Sequence, residues 1–67
     1  MGTVPRILIV DDDDGFLHLM TLAMTEQGYA VRTASDGVQG LALVESFEPD
    51  LIYLDIQMPV MGGEAPL

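Results

Sequence analysis

Two acidic sites are the residues of this sequence most able to do chemistry, and each directly follows an apolar stretch. Asp11 and Asp12 come after the apolar residues 7–10, and Asp55 comes after residues 51–54. Clustered carboxylates repel one another unless protons or a cation intervene. Oxygen ligands with room for water suit a hard cation such as Mg²⁺. Beside such a cation, an Asp55 oxygen could attack phosphorus and form an aspartyl phosphate.

The same aspartates also have purely structural interpretations. Residues 11–14 are all aspartate and could simply cap a helix, which is the role we expect for Asp13 and Asp14. Asp55 could be an ordinary loop acid. The two sites together favour the functional interpretation. Each one follows a predicted strand, and the carboxyl ends of parallel strands lie at the same edge of a sheet.

The elements that would position these residues alternate between strand and helix. Continuous hydrophobicity over residues 6–10 predicts a strand buried on both faces, and residues 29–33 and 51–54 predict two more. Helical spacing predicts a helix over residues 16–27 and a second from residue 38 to just before Pro49. The apolar stripe of the first helix contains Phe16, Leu17, Leu19, Met20, Ala23 and Met24. This βαβαβ order predicts an α/β fold with a parallel sheet and right-handed crossovers.

Several single residues mark the ends and faces of these helices. Gly28 is expected to end the first helix in a left-handed conformation, and residues 35–37 form a turn that could cap the second. Gly40 weakens the second helix by roughly 1 kcal/mol relative to alanine. His18 lies off the apolar stripe and is predicted to face solvent. Tyr29 and Tyr53 are interpreted as ordinary strand aromatics.

Composition limits the function classes. The 67 residues allow one small domain, contain no cysteine and carry a net charge of −9 with only two cationic residues, both arginine. Such a surface repels nucleic acid and anionic membranes and attracts metal cations and basic proteins. No apolar run approaches the ~20 residues of a membrane span, and no signal peptide is visible. A cytoplasmic protein is therefore expected.

Three stretches resemble the receiver domain of response regulators. Residues 7–12, Ile-Leu-Ile-Val-Asp-Asp, resemble the acidic-pair motif that closes the first receiver strand. Residues 49–59, Pro-Asp-Leu-Ile-Tyr-Leu-Asp-Ile-Gln-Met-Pro, resemble the phosphorylation-site motif, and residues 34–37 also fit. The resemblance implies a truncated flavodoxin-like (CheY-like) parallel sheet with strand order 2-1-3. It also implies that residues 1–67 form a partial receiver domain, which stops where a third helix would begin.

The resemblance further implies roles for individual residues. Asp55 matches the phospho-acceptor, Asp11 and Asp12 match the metal-binding pair, and the backbone carbonyl of Gln57 would complete the Mg²⁺ shell. Two loop positions also match, Pro59 and Gly63. The implied process is two-component signalling, in which the partner is a sensor histidine kinase or a phosphotransfer protein and the module itself is not an enzyme.

Some features depart from the receiver pattern. Receivers continue through two further strands that carry a Ser or Thr and a Lys, whereas these 67 residues contain no lysine. Arg6 and Arg32 lie on strand positions without obvious reach to the acidic site. Gly62 and Pro66 are also unusual for the family. These departures predict an impaired switch, and an open third strand in the order 2-1-3 predicts a homo-oligomer.

Other functions remain as alternatives. The half-fold could be an assembly module that forms homodimers without phosphotransfer. A hydrolase of the haloacid dehalogenase type also uses a strand-end aspartate, but it needs a second acid two residues later, where Gln57 stands. An EF-hand calcium loop with Gly15 at its sixth position would begin at Val10 and end at Thr21, so its ligand spacing fails.

Overall fold

The computed structural model describes residues 3–55, which form a small parallel sheet with two helices. The elements in chain order are β1 Arg6–Asp11, α1 Asp14–Glu26, β2 Ala30–Ala34, α2 Gly37–Phe47 and β3 Leu51–Asp55. Both strand pairs are parallel and the strand order is β2-β1-β3. The predicted α/β fold with strand order 2-1-3 is therefore confirmed. Within the described residues, no helix is long and apolar enough to cross a membrane.

The central strand β1 carries the core on both of its faces. Ile7 and Ile9 pack with Leu17 of α1 on one face, and Leu8 and Val10 pack with residue 34 on the other. All four strand residues are buried. Alternate residues of a strand point to opposite faces, so only a continuous apolar run can fill both. This confirms the strand that was predicted to be buried on both sides.

Helix α1 is present as predicted, but it spans Asp14–Glu26 and so begins two residues earlier and ends one residue earlier than the predicted range 16–27. The Asp13 side chain caps it by accepting a hydrogen bond from the Phe16 backbone N–H at 3.2 Å. Gly28 follows its end with a φ of 95°, a conformation that glycine adopts without steric cost. Three apolar residues of the predicted stripe pack against the buried cluster around Leu17, namely Phe16, Met20 and Met24. Leu19 and Ala23 were wrongly included in the stripe, because both are exposed, Leu19 by 62%.

Helix α2 packs closely against β1 through a glycine. The Asp36 side chain caps the helix by accepting a hydrogen bond from the Gln39 N–H at 2.8 Å. A Cβ atom at Gly40 would lie 3.2 Å from a Val10 methyl group. The glycine that weakens the isolated helix thus allows its close approach to the sheet. The apolar positions from which this helix was predicted are all exposed, namely Val38, Leu41, Ala42 and Val44. Leu43, which was not among them, packs on the core instead.

An open apolar cleft lies on the α2 side of the sheet. It has a volume of about 540 Å³, and its exposed apolar walls are Val38, Leu41, Val44, Ile52 and Leu54. Leu54 alone is 66% exposed. The loop positions Pro59 and Gly63 and the expected start of a third helix lie outside the described residues.

Candidate functional site

The two predicted acidic sites lie next to each other at the carboxyl edge of the sheet. Asp11 is the last residue of β1 and Asp55 is the last residue of β3. The two are direct partners in the parallel register of these strands. Since paired residues of neighbouring strands face the same side of a sheet, both carboxylates belong to the side that α1 covers.

One polar pocket contains all three aspartates that were predicted to bind metal. It has a volume of about 350 Å³ and is lined by Asp11, Asp12, Asp13, Phe16 and Asp55. Asp13 was expected only to cap α1, but in the structure it also lines this pocket. Gln57, the fourth predicted ligand, lies outside the described residues.

The turn after β1 fixes the orientation of the innermost carboxylate. Asp11 is only 5% exposed, and its Oδ1 accepts a hydrogen bond from the Asp13 backbone N–H at 2.9 Å. Asp13 in turn caps α1. The bond satisfies part of the buried charge and leaves further acceptor capacity on Asp11, because each carboxylate offers about four lone-pair sites.

The two arginines are engaged elsewhere on the sheet and do not neutralise the pocket. Arg6 Nη1 donates a hydrogen bond to the Phe47 carbonyl at 3.2 Å, and the Arg32 guanidinium lies 5.0 Å from the centre of the Phe47 ring. Arg6 begins β1, five residues before Asp11, which is roughly 16 Å along a strand. The pocket thus gathers negative charge without an arginine to balance it.

The donor set of the pocket fits a hard divalent cation. Its charged atoms are carboxylate oxygens, the ligands that Mg²⁺ prefers, and Mg²⁺ keeps several waters and so needs few protein ligands. In the part of the chain that the structure describes, no group of three or more His, Cys, Asp or Glu side chains is arranged to hold a metal ion. Holding a cation here would therefore require the carboxylates to turn toward one another.

Tyr53 is a neighbour of this site that sequence reasoning missed. Its ring packs against Phe16 with ring centroids 5.7 Å apart. The pKa of its phenol is raised above its ordinary value by desolvation and by the charges of Asp55 and Asp11. The available signal was its spacing, because a residue two positions before Asp55 shares its face of the strand. By contrast, His18 is exposed as predicted.

Comparison with known families gives one match that spans most of the chain. Residues 7–66 match the model of the response regulator receiver domain. The match covers both strands that carry the acidic pocket.

Individual relatives show the same relationship. The chain is 43% identical over 60 residues to the DNA-binding dual master transcriptional regulator RpaA of Synechocystis sp.. It is 41% identical over 58 residues to the alkaline phosphatase synthesis transcriptional regulatory protein PhoP of Bacillus subtilis, and 38% identical over 58 residues to the DNA-binding response regulator MtrA of Mycobacterium tuberculosis.

These alignments cover unequal shares of the two partners. They include 90%, 87% and 87% of this chain but only 25%, 24% and 25% of the respective relatives. The chain thus spans about a quarter of the length of the regulators it matches. No solved structure gives a significant match.

Proposed function

This chain belongs to the response regulator receiver domain family, and on that premise we propose that it accepts a phosphoryl group on Asp55 in two-component signalling. The observation that carries the proposal is the register pairing of Asp11 with Asp55 at the carboxyl edge of the sheet. In open α/β sheets, ligands bind in the crevice outside the carboxyl ends of the strands. The pocket lined by these aspartates lies at this edge.

The chemistry needs only one nucleophilic oxygen from this chain. An Asp55 carboxylate oxygen attacks the phosphorus of a phosphohistidine on a sensor histidine kinase or a phosphotransfer protein. The O–P bond forms while the N–P bond breaks, and the electron pair of that bond remains on the imidazole nitrogen, which then takes a proton from water. Asp55 is exposed, so a partner's histidine can approach it directly.

Asp11, Asp12 and Asp55, together with the backbone carbonyl of Gln57, are the proposed Mg²⁺ ligands. Bound there, Mg²⁺ would shield the incoming phosphoryl oxygens from the carboxylates and stabilise the charge of the transferring group. Asp11 is already held by the Asp13 N–H, so this ligand is preorganised. Asp12 and Asp55 are exposed and free to adjust their rotamers around a cation.

Composition supports a short-lived phosphoryl adduct and a protein partner. The 67 residues contain no lysine, so none of their side chains can supply an ammonium group to pair with the phosphoryl oxygens. We therefore expect phosphorylation to be slow or its product to hydrolyse quickly. The charge of −9 disfavours contact with nucleic acid or an anionic membrane by this segment.

Mass spectrometry of the intact chain tests the acceptor assignment. The chain is incubated with acetyl phosphate and Mg²⁺, and a phosphoryl adduct is expected that Asp55→Asn abolishes. Asp36→Asn is a matched control, because it makes the same change at an aspartate outside the acidic pocket, where the asparagine oxygen can still cap α2, and it should keep the adduct. An adduct that persists in Asp55→Asn would overturn the assignment.

A second candidate function is an assembly module that forms homodimers without phosphotransfer. Every residue of β3 is exposed, and within residues 3–55 this strand pairs only with β1. An unpaired strand edge is a template for another chain, and the neighbouring apolar cleft offers further surface to bury. Two copies could pair their β3 strands about a two-fold axis and cover both features.

A further inference from the structure

Strand β2 lies at an edge of the sheet and directs part of its backbone away from the other strands. Within residues 3–55, it pairs only with β1. The Ala30 N–H donates to the Pro5 carbonyl at 2.9 Å, so Ala30 directs its backbone groups toward β1. Because this direction alternates along a strand, Val31 and Thr33 direct theirs outward. Such an edge is a template on which a strand of another chain can add.

The residues of this edge favour strand pairing in every respect except one. Tyr29, Val31 and Thr33 are good strand formers, and residues 27–35 contain no proline. Uncharged segments of this kind readily pair with other chains. Arg32 is the one charged residue among residues 27–35, and it is the middle residue of the five in β2. Its charge therefore lies where it affects any pairing along this edge.

The Arg32 side chain also occupies a backbone acceptor that an added strand would need. Its Nη1 donates a hydrogen bond to the outward-directed Val31 carbonyl at 3.0 Å. The guanidinium lies 5.0 Å from the centre of the Phe47 ring, which is within the range of a cation–π contact. This contact from α2 holds the side chain against the strand. An incoming strand must displace the guanidinium before it can bind the Val31 carbonyl.

Pairing between two β2 strands meets a further obstacle that arises from symmetry. In an antiparallel pair about a two-fold axis with full overlap, Val31 lies opposite Thr33 of the second copy and Arg32 lies opposite its own copy. The Thr33 N–H of the second copy then needs the carbonyl that Arg32 occupies. The two Arg32 residues form a non-hydrogen-bonded pair with Cα atoms about 4.5 Å apart. Like charges directly opposite each other destabilise a strand pair.

We propose that Arg32 closes the β2 edge to strand addition by another chain, through its hydrogen bond to the Val31 carbonyl and its charge at the centre of the strand. Residues 51–54 of β3 carry no charge, so this strand has no equivalent residue at its centre. Arg32 thus directs strand pairing away from β2 and toward β3. Its action on the β2 edge is independent of the phosphoryl chemistry proposed for Asp55.

Sedimentation equilibrium tests the proposal in the Ile52→Lys chain, whose β3 edge carries an added charge. A further Arg32→Thr substitution should tighten self-association roughly tenfold or more, because the Val31 carbonyls of both copies become available for strand hydrogen bonds. The same substitution makes each copy more negative by one charge, so general repulsion acts against this result. Arg32→Lys keeps a cation at the position and should not tighten the association. Unchanged association in Arg32→Thr, or an equal gain in Arg32→Lys, would overturn the proposal.

Hydrogen exchange followed by NMR tests the same edge in the unmodified chain, without relying on the folding of any variant. The amides of Ala30 and Arg32 are directed toward β1 and should be protected. The amides of Val31 and Thr33 are directed outward and should exchange roughly tenfold faster or more, because no strand covers them. Equal protection of the two pairs would show that another strand covers the β2 edge while Arg32 is present, and would overturn the proposal.

Discussion

Arg6 and Asp50 are joined by two hydrogen bonds that fasten the first residue of β1 to the residue before β3. The Arg6 backbone N–H donates to Asp50 Oδ2 at 2.8 Å, and the Asp50 N–H donates to the Arg6 carbonyl at 2.8 Å. These bonds set where the third strand begins beside the first. They therefore also fix the register that brings Asp11 beside Asp55 at the other end.

The first prediction concerns the stability that this link provides. Asp50→Ala should lower the free energy of unfolding by about 0.5–1.5 kcal/mol, because one hydrogen bond to the strand backbone is lost. Asp50→Asn should cost less, since its side-chain oxygen can still accept. Urea unfolding followed by circular dichroism measures both, and Glu45→Ala controls for the loss of one exposed negative charge. A loss no larger than that of Glu45→Ala would contradict the prediction.

The second prediction concerns Mg²⁺. Titration should shift the backbone amide NMR signals of Asp11, Asp12 and Asp55, because a cation relieves the repulsion among their carboxylates. Asp12→Asn should weaken binding roughly tenfold, as expected for a lost charged contact. Asp36→Asn, at the cap of α2, should leave the affinity unchanged. Shifts that cluster away from residues 11, 12 and 55 would show that the metal site is misassigned.

The third prediction concerns the ionisation of Tyr53 in the absence of metal. In the Tyr29→Phe chain, the tyrosinate absorption should appear at a pH above the usual tyrosine value near 10, because the pKa is raised. Asp55→Ala should lower the midpoint, since the carboxylate no longer opposes the phenolate charge. A midpoint that Asp55→Ala leaves unchanged would contradict the effect of the Asp55 charge on the pKa of Tyr53.

Ionisation of Tyr53 should also lower the free energy of unfolding at alkaline pH. The folded-state pKa of Tyr53 lies above its unfolded value, so the folded state holds this proton more tightly. The stabilising contribution is complete below pH ~10 and is lost as the pH rises through the folded-state pKa. The midpoint of urea unfolding should therefore fall more steeply with alkaline pH in the unmodified chain than in Tyr53→Phe.

The fourth prediction concerns association through β3. Sedimentation equilibrium at low micromolar concentration should show a dimer or a higher oligomer, and Ile52→Lys should weaken it by placing a charge beside the strand edge. Leu19→Lys places the same charge on the exposed side of α1 and should not. Each copy carries a charge of −9, so added salt should tighten the association by screening repulsion. A folded monomer of 7.2 kDa would contradict the homodimer.

Local chemistry allowed most of the fold to be predicted from the sequence. Three predicted features depend on residue type and spacing, and each appears as expected: the continuous apolar run of β1, a cap of α2 within residues 35–37, and the left-handed glycine at Gly28. The errors concern which side of a helix touches the sheet. Leu19 and Leu43 differ little in sequence pattern, yet only Leu43 packs on the core, because the approach angle of each helix is set by its partners.

The acidic residues of the site were determined by the sequence itself, and their neighbourhood was decided only by the tertiary structure. Asp11, Asp12 and Asp55 stand out because each follows an apolar strand. Spacing alone places Tyr53 on the same face of the strand as Asp55, but its position beside the pocket also depends on a register that pairs it with Ile9 and on a contact with Phe16 from another element. Parallel pairing and helix packing act between segments far apart in the chain, so local residue patterns do not encode which side chains they bring together.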